Sequence, residues 1–251
     1  MKRYPLSWWV AVLALLTLGT ARATDLTVSA AASLTHAFKD LAPLFEAAHP
    51  GHKLQFNFAA SGPLLQQIAK GAPVDVFVSA DQETMDQAQR QSLVQARARR
   101  NFVSNALVLI VPVASAQVPA KLADLGQARY ARVAIGLPAS VPVGRYAKAA
   151  LEAQGLWAAV EPRMIGAQSV RQALDYVARA EVDAGFVYAT DAALMPDKVR
   201  VAFSVPTAVP ILYPAAPIVA SSNPALAAAF VDFLSRPAAQ AVFAKYGFSK
   251  P

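Results

Sequence analysis

Apolar runs of strand length alternate along the chain with segments in which apolar residues recur every three or four positions. The run over 25–30 comes first, and it is followed by Leu34, Phe38 and Leu41, whose spacing predicts one buried face of a helix. Strict alternation over 54–58 then predicts a second strand. A repeated strand-then-helix order is typical of parallel or mixed sheets with helices on both faces. We therefore predict an α/β fold.

The same alternation continues to the end of the chain. Further strands are predicted over 74–78, 132–136, 163–165 and 184–188, and further helices over 64–68, 145–154, 170–180, 223–235 and 237–246. Two long apolar runs, 106–112 and 211–220, are predicted to carry the crossings between two lobes. We expect residues 24–104 and 211–251 to form a discontinuous first lobe, residues 105–210 to form a second lobe, and a ligand cleft to lie between them.

The first residues indicate export. Basic residues precede an apolar stretch over 8–16 that is too short to span a bilayer with ease, and a small-x-small cleavage signature follows at 21–23. We expect residues 1–23 to be a signal peptide and the mature chain to begin near Thr24, in the periplasm. An uncleaved membrane anchor is the alternative, and it is disfavoured because no longer apolar run follows.

Charge and cysteine content narrow the classes of partner. Three basic residues leave with residues 1–23, so the formal net charge falls from +7 to +4. The other basic residues are scattered apart from Arg97, Arg99 and Arg100, and no aromatic residues interleave with that cluster as a stacking surface would require. We expect the cluster to lie on a solvated helix face or loop, and we expect no nucleic-acid partner. Cysteine is absent, so neither a disulfide nor a lipid-modified cysteine is expected.

Four predicted helix starts carry a candidate binding chemistry. Each places small or backbone-donating residues directly after an apolar strand, at 31–35, 59–63, 141–144 and 168–171. The first N–H groups of a helix have no intrahelical acceptor and lie at the positive end of its dipole. Ligands of open α/β sheets bind beyond the carboxyl ends of the strands, where these segments fall. Several such helix ends at one cleft would hold an oxyanion without a charged side chain, and a hinge motion would close the lobes around it.

A set of short segments in a fixed order makes the prediction more specific. They are 30–35 (AAASLT), 58–62 (FAASG), 71–81 (GAPVDVFVSAD), 141–147 (VPVGRYA), 170–174 (VRQAL), 181–191 (EVDAGFVYATD) and 245–248 (KYGF). Together they resemble the periplasmic molybdate-binding proteins of ATP-driven (ABC) transporters, over essentially the whole mature chain. The resemblance implies a two-lobed periplasmic binding fold of type II, one molybdate or tungstate ion as ligand with no other cofactor, a membrane permease as partner, and a monomer.

The resemblance also implies which residues hold the ion. Ser33 and Ser61 would each give a hydroxyl and a backbone N–H from the first lobe. Val143 and Val170 would give backbone N–H groups from the second lobe, and Tyr188 would give its phenolic hydroxyl. Many relatives carry alanine at the position of Val143, a change that should matter little where the donor is the main chain.

Each of these residues also has a structural interpretation. A serine where a strand meets a helix is most often an N-cap, which stabilises the helix by roughly 1 kcal/mol, and this would explain Ser33 and Ser61 without any ligand. Tyr188 would then be a half-buried aromatic residue whose hydroxyl reaches water, and the two valines would be core residues. Only the joint placement of the five residues, together with the resemblance, favours a binding site.

Charged and titratable residues near the proposed donors are expected to serve other roles. Arg145 and Arg171 are expected to face solvent and to steer the anion rather than to clamp it, because the family uses neutral donors. The aspartates are expected to be caps, turn residues or partners that stabilise a lobe; these are Asp75, Asp81, Asp183 and Asp191. The histidines lack the spacing of a metal site and are expected at the surface; these are His36, His49 and His52.

Other classes of protein fit the sequence less well. A serine hydrolase would need an activated serine, but there is no Gly-x-Ser-x-Gly elbow and all histidines lie in one N-terminal stretch, so we expect no enzyme. A regulator's sensor domain would begin with a helix-turn-helix rather than a secretion signal. Among binding proteins, sulfate, another oxyanion or a small organic anion stay open as the ligand. A site of donors only would disfavour hydrogenphosphate, whose proton needs an acceptor.

Overall fold

The computed structural model describes residues 25–251, so the expected signal peptide lies outside the described residues. The strands are β1 Leu26–Ala31, β2 Leu54–Ala59, β3 Val76–Val78, β4 Arg100–Asn105, β5 Leu107–Pro112, β6 Val133–Gly136, β7 Met164–Ala167, β8 Ala184–Tyr188, β9 Val199–Val205 and β10 Ile211–Pro217. The helices are α1 Thr35–Ala48, α2 Ser61–Ala69, α3 Gln82–Arg90, α4 Pro142–Glu152, α5 Trp157–Val160, α6 Val170–Ala178, α7 Ala189–Ala192, α8 Pro224–Phe233 and α9 Pro237–Lys245. A 3₁₀ turn, Ala32–Leu34, precedes α1. Within this part of the chain, none of the helices has the length and apolar character needed to cross a membrane.

The strands form two separate five-stranded mixed sheets. The first sheet has the order β2-β1-β3-β10-β4, in which β1 is parallel to β2 and β3 while β10 is antiparallel to β3 and β4. The second sheet has the order β7-β6-β8-β5-β9, in which β6 is parallel to β7 and β8 while β5 is antiparallel to β8 and β9. We call the two sheets with their helices the first and the second lobe.

The chain passes between the lobes twice. It leaves the first sheet at the end of β4 and enters β5 after Ala106, and it returns from β9 to β10 through 206–210. The two long apolar runs of the sequence therefore form mainly strands β5 and β10. The first crossing lies at Ala106, where the first run begins, and the second lies at 206–210, just before the second run. Both strands have neighbours on both sides in their sheets, which explains their continuous apolar character.

Aromatic residues hold the C-terminal helices on the first lobe. Phe38 of α1 contacts Phe230 of α8 and Phe243 of α9, with ring centroids 6.0 and 6.1 Å apart, and all three side chains are buried. Burial of each such side chain contributes about 1.5–3 kcal/mol. The last two helices therefore belong to the core built on β1 and β10, although they follow the second lobe in sequence.

A close backbone contact fixes the start of α4 in the second lobe. A Cβ atom at residue 144 would lie 1.8 Å from the carbonyl oxygen of Gly136, so only glycine fits there. The contact presses the first turn of α4 onto the end of β6 and places Val143 at the carboxyl edge of the sheet. The helix begins at Pro142, three residues before the start predicted from the sequence, because proline suits the first helical position.

Candidate anion-binding site

A small, tight cavity lies between the two lobes, at the carboxyl ends of β1, β2 and β8. Residues of the first lobe line one side, namely Ala31, Ala32, Ser33, Ala60, Ser61 and Ala80. Residues of the second lobe line the other, namely Val141, Pro142, Val143, Val170 and Tyr188. All five site residues predicted from the sequence therefore meet at one cavity, although they come from positions up to 155 residues apart (188 − 33).

The lining is neutral and offers hydrogen-bond donors. Among the described residues, no charged side chain lines the cavity, and the polar side-chain groups there are the hydroxyls of Ser33, Ser61 and Tyr188. Val143 and Val170 lie in the first turns of α4 and α6, where the backbone N–H groups have no intrahelical acceptor. Their side chains are buried in the core, as the structural interpretation expects, so any part they take in binding falls to the main chain. The positive ends of the helix dipoles add to the attraction for an anion.

Neither serine is an N-cap. The N-cap positions of the 3₁₀ turn and of α2 are Ala31 and Ala60, and neither makes a side-chain capping bond. Ser61 Oγ instead accepts a hydrogen bond from the backbone N–H of Ala80 at 3.0 Å. Ser33 Oγ lies 3.0 Å from Tyr213 Oη. Both hydroxyls are thus held by distant parts of the first lobe, which a plain capping role does not require.

Tyr188 ends β8 with its side chain fully enclosed. It is 1% exposed, so the expectation of a half-buried ring with a hydrated hydroxyl does not describe it. Its Oη is buried and has no hydrogen-bond partner among the described residues. Burial raises the pKa of Tyr188 well above its ordinary value, so the phenol stays protonated and remains a donor.

The two arginines near the site cross between the lobes. Arg145 of α4 donates from Nε and Nη2 to Asp81 Oδ2 at 2.8 and 2.7 Å, and from Nη2 to Thr84 Oγ1 at 2.6 Å. Arg171 of α6 donates to the Ser33 carbonyl oxygen at 3.0 Å. Neither arginine lines the cavity, but the expectation that they face solvent is wrong, since their side chains are only 16% and 21% exposed. Each reaches a polar partner on the opposite lobe that sequence spacing does not reveal.

The aspartates act as caps and lobe partners, as expected. Asp81 is the N-cap of α3 and accepts from the backbone N–H of Thr84. Asp75 and Asp183 accept backbone N–H groups from neighbouring segments of their own lobes. Asp191 is fully buried beside Arg171, with Oδ1 and Nε 2.8 Å apart. Burial raises the pKa of Asp191 to about 6, and the guanidinium of Arg171 acts in the opposite direction.

The histidines and the basic cluster lie away from the cavity. His36 Nδ1 lies 3.4 Å from Arg171 Nη1 across the cleft, and His49 Nδ1 contacts the carbonyl oxygen of Phe45. Within residues 25–251, no group of three histidine, aspartate or glutamate side chains could hold a metal ion. The basic cluster spans a 3₁₀ turn and the start of β4 rather than an α-helix, and its Arg99 pairs with Asp86.

Sequence reasoning missed the groups that support the site. Tyr213 lies within the apolar run that forms β10, and Asn105 ends β4 at the crossing, so neither stands out in its local pattern. Gly62 does have a local signal, because it directly follows Ser61 at a helix start. Its backbone N–H donates to the carbonyl oxygen of Ser140 on the other lobe at 3.0 Å.

Two α/β lobes with a small neutral cavity between them form the two-lobed fold of type II periplasmic binding proteins. The chain belongs to the bacterial extracellular solute-binding protein family, whose profile matches residues 26–249. The α/β two-lobed fold predicted from the sequence is confirmed.

Named relatives support the more specific resemblance. Molybdate-binding protein ModA of Escherichia coli is 38% identical over 229 residues, which are 89% of this chain and 88% of that protein. The periplasmic molybdate-binding protein of Azotobacter vinelandii has a TM-score of 0.76 and 26% identity, covering 90% of this chain and 99% of that one. The sulfate-binding protein SubI of Mycobacterium tuberculosis has a TM-score of 0.78 at 18% identity, covering 90% of this chain and 87% of that one, which shows the fold alone. The resemblance to molybdate-binding proteins stated from the sequence is confirmed.

Proposed function

We propose that this chain is the periplasmic solute-binding component of a molybdate ABC transporter. In this proposal one molybdate or tungstate ion lies in the cavity between the lobes, and the closed protein delivers it to a membrane permease. The protein acts as a monomer and catalyses no reaction. The observation that carries the proposal is the neutral cavity, whose polar side chains are three hydroxyls at the starts of helices or the end of a strand.

The donors proposed for the ion come from both lobes. Ser33 and Ser61 give hydroxyls and backbone N–H groups, Val143 and Val170 give backbone N–H groups, and Tyr188 gives its phenol. A tetrahedral dianion presents acceptors only, so each of these donors would gain a charge-assisted hydrogen bond. Because the helix starts already supply a positive potential, the site needs no arginine or lysine.

The same donors suggest how other anions are rejected. Hydrogenphosphate brings a proton, and in a site whose hydroxyl and N–H groups all donate to the anion that proton is left unpaired at a cost of about 1–3 kcal/mol. Sulfate carries no such proton, so size has to separate it from molybdate. A smaller tetrahedron leaves some donor distances too long, unless the lobes close further.

Isothermal calorimetry on the exported protein tests this proposal directly. Molybdate, tungstate, sulfate and phosphate are titrated in parallel into the wild type and into the double variant Ser33→Ala/Ser61→Ala. We expect tight binding of molybdate and tungstate alone, lost in the double variant. A matched control, Ser222→Ala/Ser235→Ala, removes two exposed serines that do not line the cavity and should bind as the wild type does.

The remaining outcomes separate the alternatives. Sulfate bound as strongly as molybdate would keep the anion site but assign the protein to another transporter. No heat with any of the four anions would contradict the oxyanion proposal and favour a small organic anion. Phosphate bound as tightly as molybdate would contradict the protonation argument.

A further inference from the structure

The hydroxyl of Ser33 is the end of a partly buried chain of hydrogen bonds that starts at the crossing between the lobes. The chain runs from the Asn105 amide to the Tyr213 phenol and then to Ser33 Oγ, over distances of 3.3 and 3.0 Å. Each member offers a limited number of protons, so the direction of every bond follows from its neighbour.

The orientation of Asn105 sets the direction of the chain. Its Oδ1 accepts the backbone N–H of Ala106 at 2.9 Å, so the amide oxygen must face that way. The two protons on Nδ2 then go to Thr190 Oγ1 at 2.8 Å and to Tyr213 Oη at 3.3 Å. Asn105 therefore donates to Tyr213. If the Asn105 amide were flipped, its Nδ2 would face the backbone N–H of Ala106, and two donors would lie against each other.

Tyr213 passes this direction on to Ser33. Its oxygen accepts from Asn105, and its single proton is left for Ser33 Oγ. The ring is fully buried on β10, and burial raises the pKa of Tyr213 far above its ordinary value, so the phenol keeps its proton. Tyr213 also packs edge-on against Tyr188, with ring centroids 6.0 Å apart, so it touches two of the proposed ligand residues.

We propose that Asn105 and Tyr213 are positioning residues that fix the Ser33 hydroxyl as a hydrogen-bond donor toward the bound anion. This inference rests on the proposed function and deepens it. Because Ser33 Oγ accepts from Tyr213, its own proton is directed to the cavity that it lines. Ser61 is held in the same sense, since its Oγ accepts from Ala80 N–H.

The consequence is a specificity for anions without a proton. With both serine oxygens already accepting inside the protein, the protons of both hydroxyls are directed to the cavity, where hydrogenphosphate needs an acceptor. If the Tyr213 hydroxyl is removed, the Ser33 hydroxyl is free to rotate, and its oxygen becomes able to accept the proton of hydrogenphosphate. Tyr213 would thus affect the choice between anions as well as the affinity, without touching the anion itself.

A double-mutant cycle tests this relay, that is, the chain of hydrogen bonds from Asn105 through Tyr213 to Ser33. Tyr213→Phe keeps the buried ring and removes the hydroxyl, and we expect it to raise the dissociation constant of molybdate roughly 2- to 12-fold in calorimetry. In a Ser33→Ala background the same change should alter that constant less than about 2-fold, because its effect passes through Ser33. The matched control is Tyr130→Phe, which removes a buried hydroxyl that has no hydrogen-bond partner within residues 25–251 and does not line the cavity, so it should have no effect.

Competition with phosphate provides a second readout. In Tyr213→Phe the dissociation constant of phosphate should stay constant or fall while that of molybdate rises. The ratio of the phosphate constant to the molybdate constant should therefore fall. If Tyr213 had a purely structural role, Tyr213→Phe would weaken the binding of both anions alike, and its effect on molybdate would persist in the Ser33→Ala background. Either result would overturn the relay. A wild type that does not bind molybdate would instead overturn the proposed function, and the relay with it.

Discussion

At the scale of single residues, two buried tyrosine hydroxyls have no partner among residues 25–251, and they differ in what surrounds them. Tyr188 lines the neutral cavity between the lobes, whereas Tyr130 lies in the second lobe away from it. A buried hydroxyl without a hydrogen bond destabilises a protein by about 1–3 kcal/mol. At Tyr188 that group lies where, in the proposed function, the anion would accept its proton, so the cost in stability would be offset by binding.

Removal of the Tyr188 hydroxyl should therefore change stability and affinity in opposite directions. We expect Tyr188→Phe to keep or raise the melting temperature of the anion-free protein, because no hydrogen bond among the described residues is lost. The dissociation constant of molybdate should rise roughly 10- to 100-fold, the value of one hydrogen bond to a charged group. Differential scanning fluorimetry and calorimetry measure the two effects. An unchanged affinity would remove Tyr188 from the proposed ligand set.

Individual site residues can be predicted from the sequence only where a local segment carries the signal. Ser33 and Ser61 stand in short segments at helix starts, and the structure brings both to one cavity. The partner of Ser33 is Tyr213, 180 residues away, and no local pattern connects them. The sequence places Arg145 in solvent for the same reason, because its partner Asp81 belongs to the other lobe. The surroundings of such side chains depend on tertiary contacts between distant segments, which the local sequence does not show.

At the scale of elements, apolar periodicity predicts those helices and strands that bury a continuous face. The sequence prediction misses α3, whose sequence QETMDQAQR buries Thr84, Met85 and Ala88, and it misses β4 and β9. Strand β4 opens with Arg100 and Asn101 and shows no strand pattern. Strand β9 does have an apolar residue at every second position from Val199 to Val205, but the sequence prediction does not include it. Both are edge strands whose conformation is set by pairing with β10 and β5, which sequence alone does not show.

The contact between the starts of α2 and α4 leads to a prediction about closure. A Cβ atom at residue 62 would lie 2.4 Å from the Ser140 carbonyl oxygen, which belongs to the other lobe. We expect Gly62→Ala to prevent full closure, so that the second-lobe donors no longer reach the anion. Loss of two charge-assisted bonds would cost about 3 kcal/mol, or roughly 100-fold in the dissociation constant of molybdate. Calorimetry measures this loss.

The control for Gly62→Ala is a glycine with free space around it. A Cβ atom at residue 126 would meet no atom of residues 25–251 within 4 Å, so Gly126→Ala should bind molybdate as the wild type does. Gly62→Ala should not lower the melting temperature of the anion-free protein, since alanine favours the helix in the open form. A wild-type affinity in Gly62→Ala would mean that the lobes close without this contact.

At the scale of the whole molecule, several polar contacts join the lobes beside the cavity. Among them are the Arg145 pair with Asp81, the bond from Arg171 to the Ser33 carbonyl, and the backbone bond from Gly62 to Ser140. Each would break if the lobes rotated apart about the two crossings. The conformation described is therefore the closed one, and these contacts add to its stability beside whatever the anion contributes.

Arg145 allows a test of whether such a contact acts on closure or on the approach of the anion. A residue that steers an anion raises the association rate in a salt-dependent way, whereas a contact made only in the closed form slows dissociation. We expect Arg145→Gln to accelerate molybdate dissociation about 5- to 30-fold, for a partly buried ion pair worth roughly 1–2 kcal/mol. Stopped-flow measurements give both rates, and small-angle scattering of the anion-free protein should show a larger radius of gyration.

The outcome depends on what Asp81 retains after the change. Its carboxylate keeps the Ser79 hydroxyl and the backbone N–H of Thr84, so α3 stays capped and the first lobe should melt as before. Arg179→Gln is the matched control, because Arg179 pairs with Glu181 within the second lobe and at the surface. If Arg145→Gln instead lowers only the association rate, and salt removes the difference, then the arginine steers the anion and the closed form is held by other contacts.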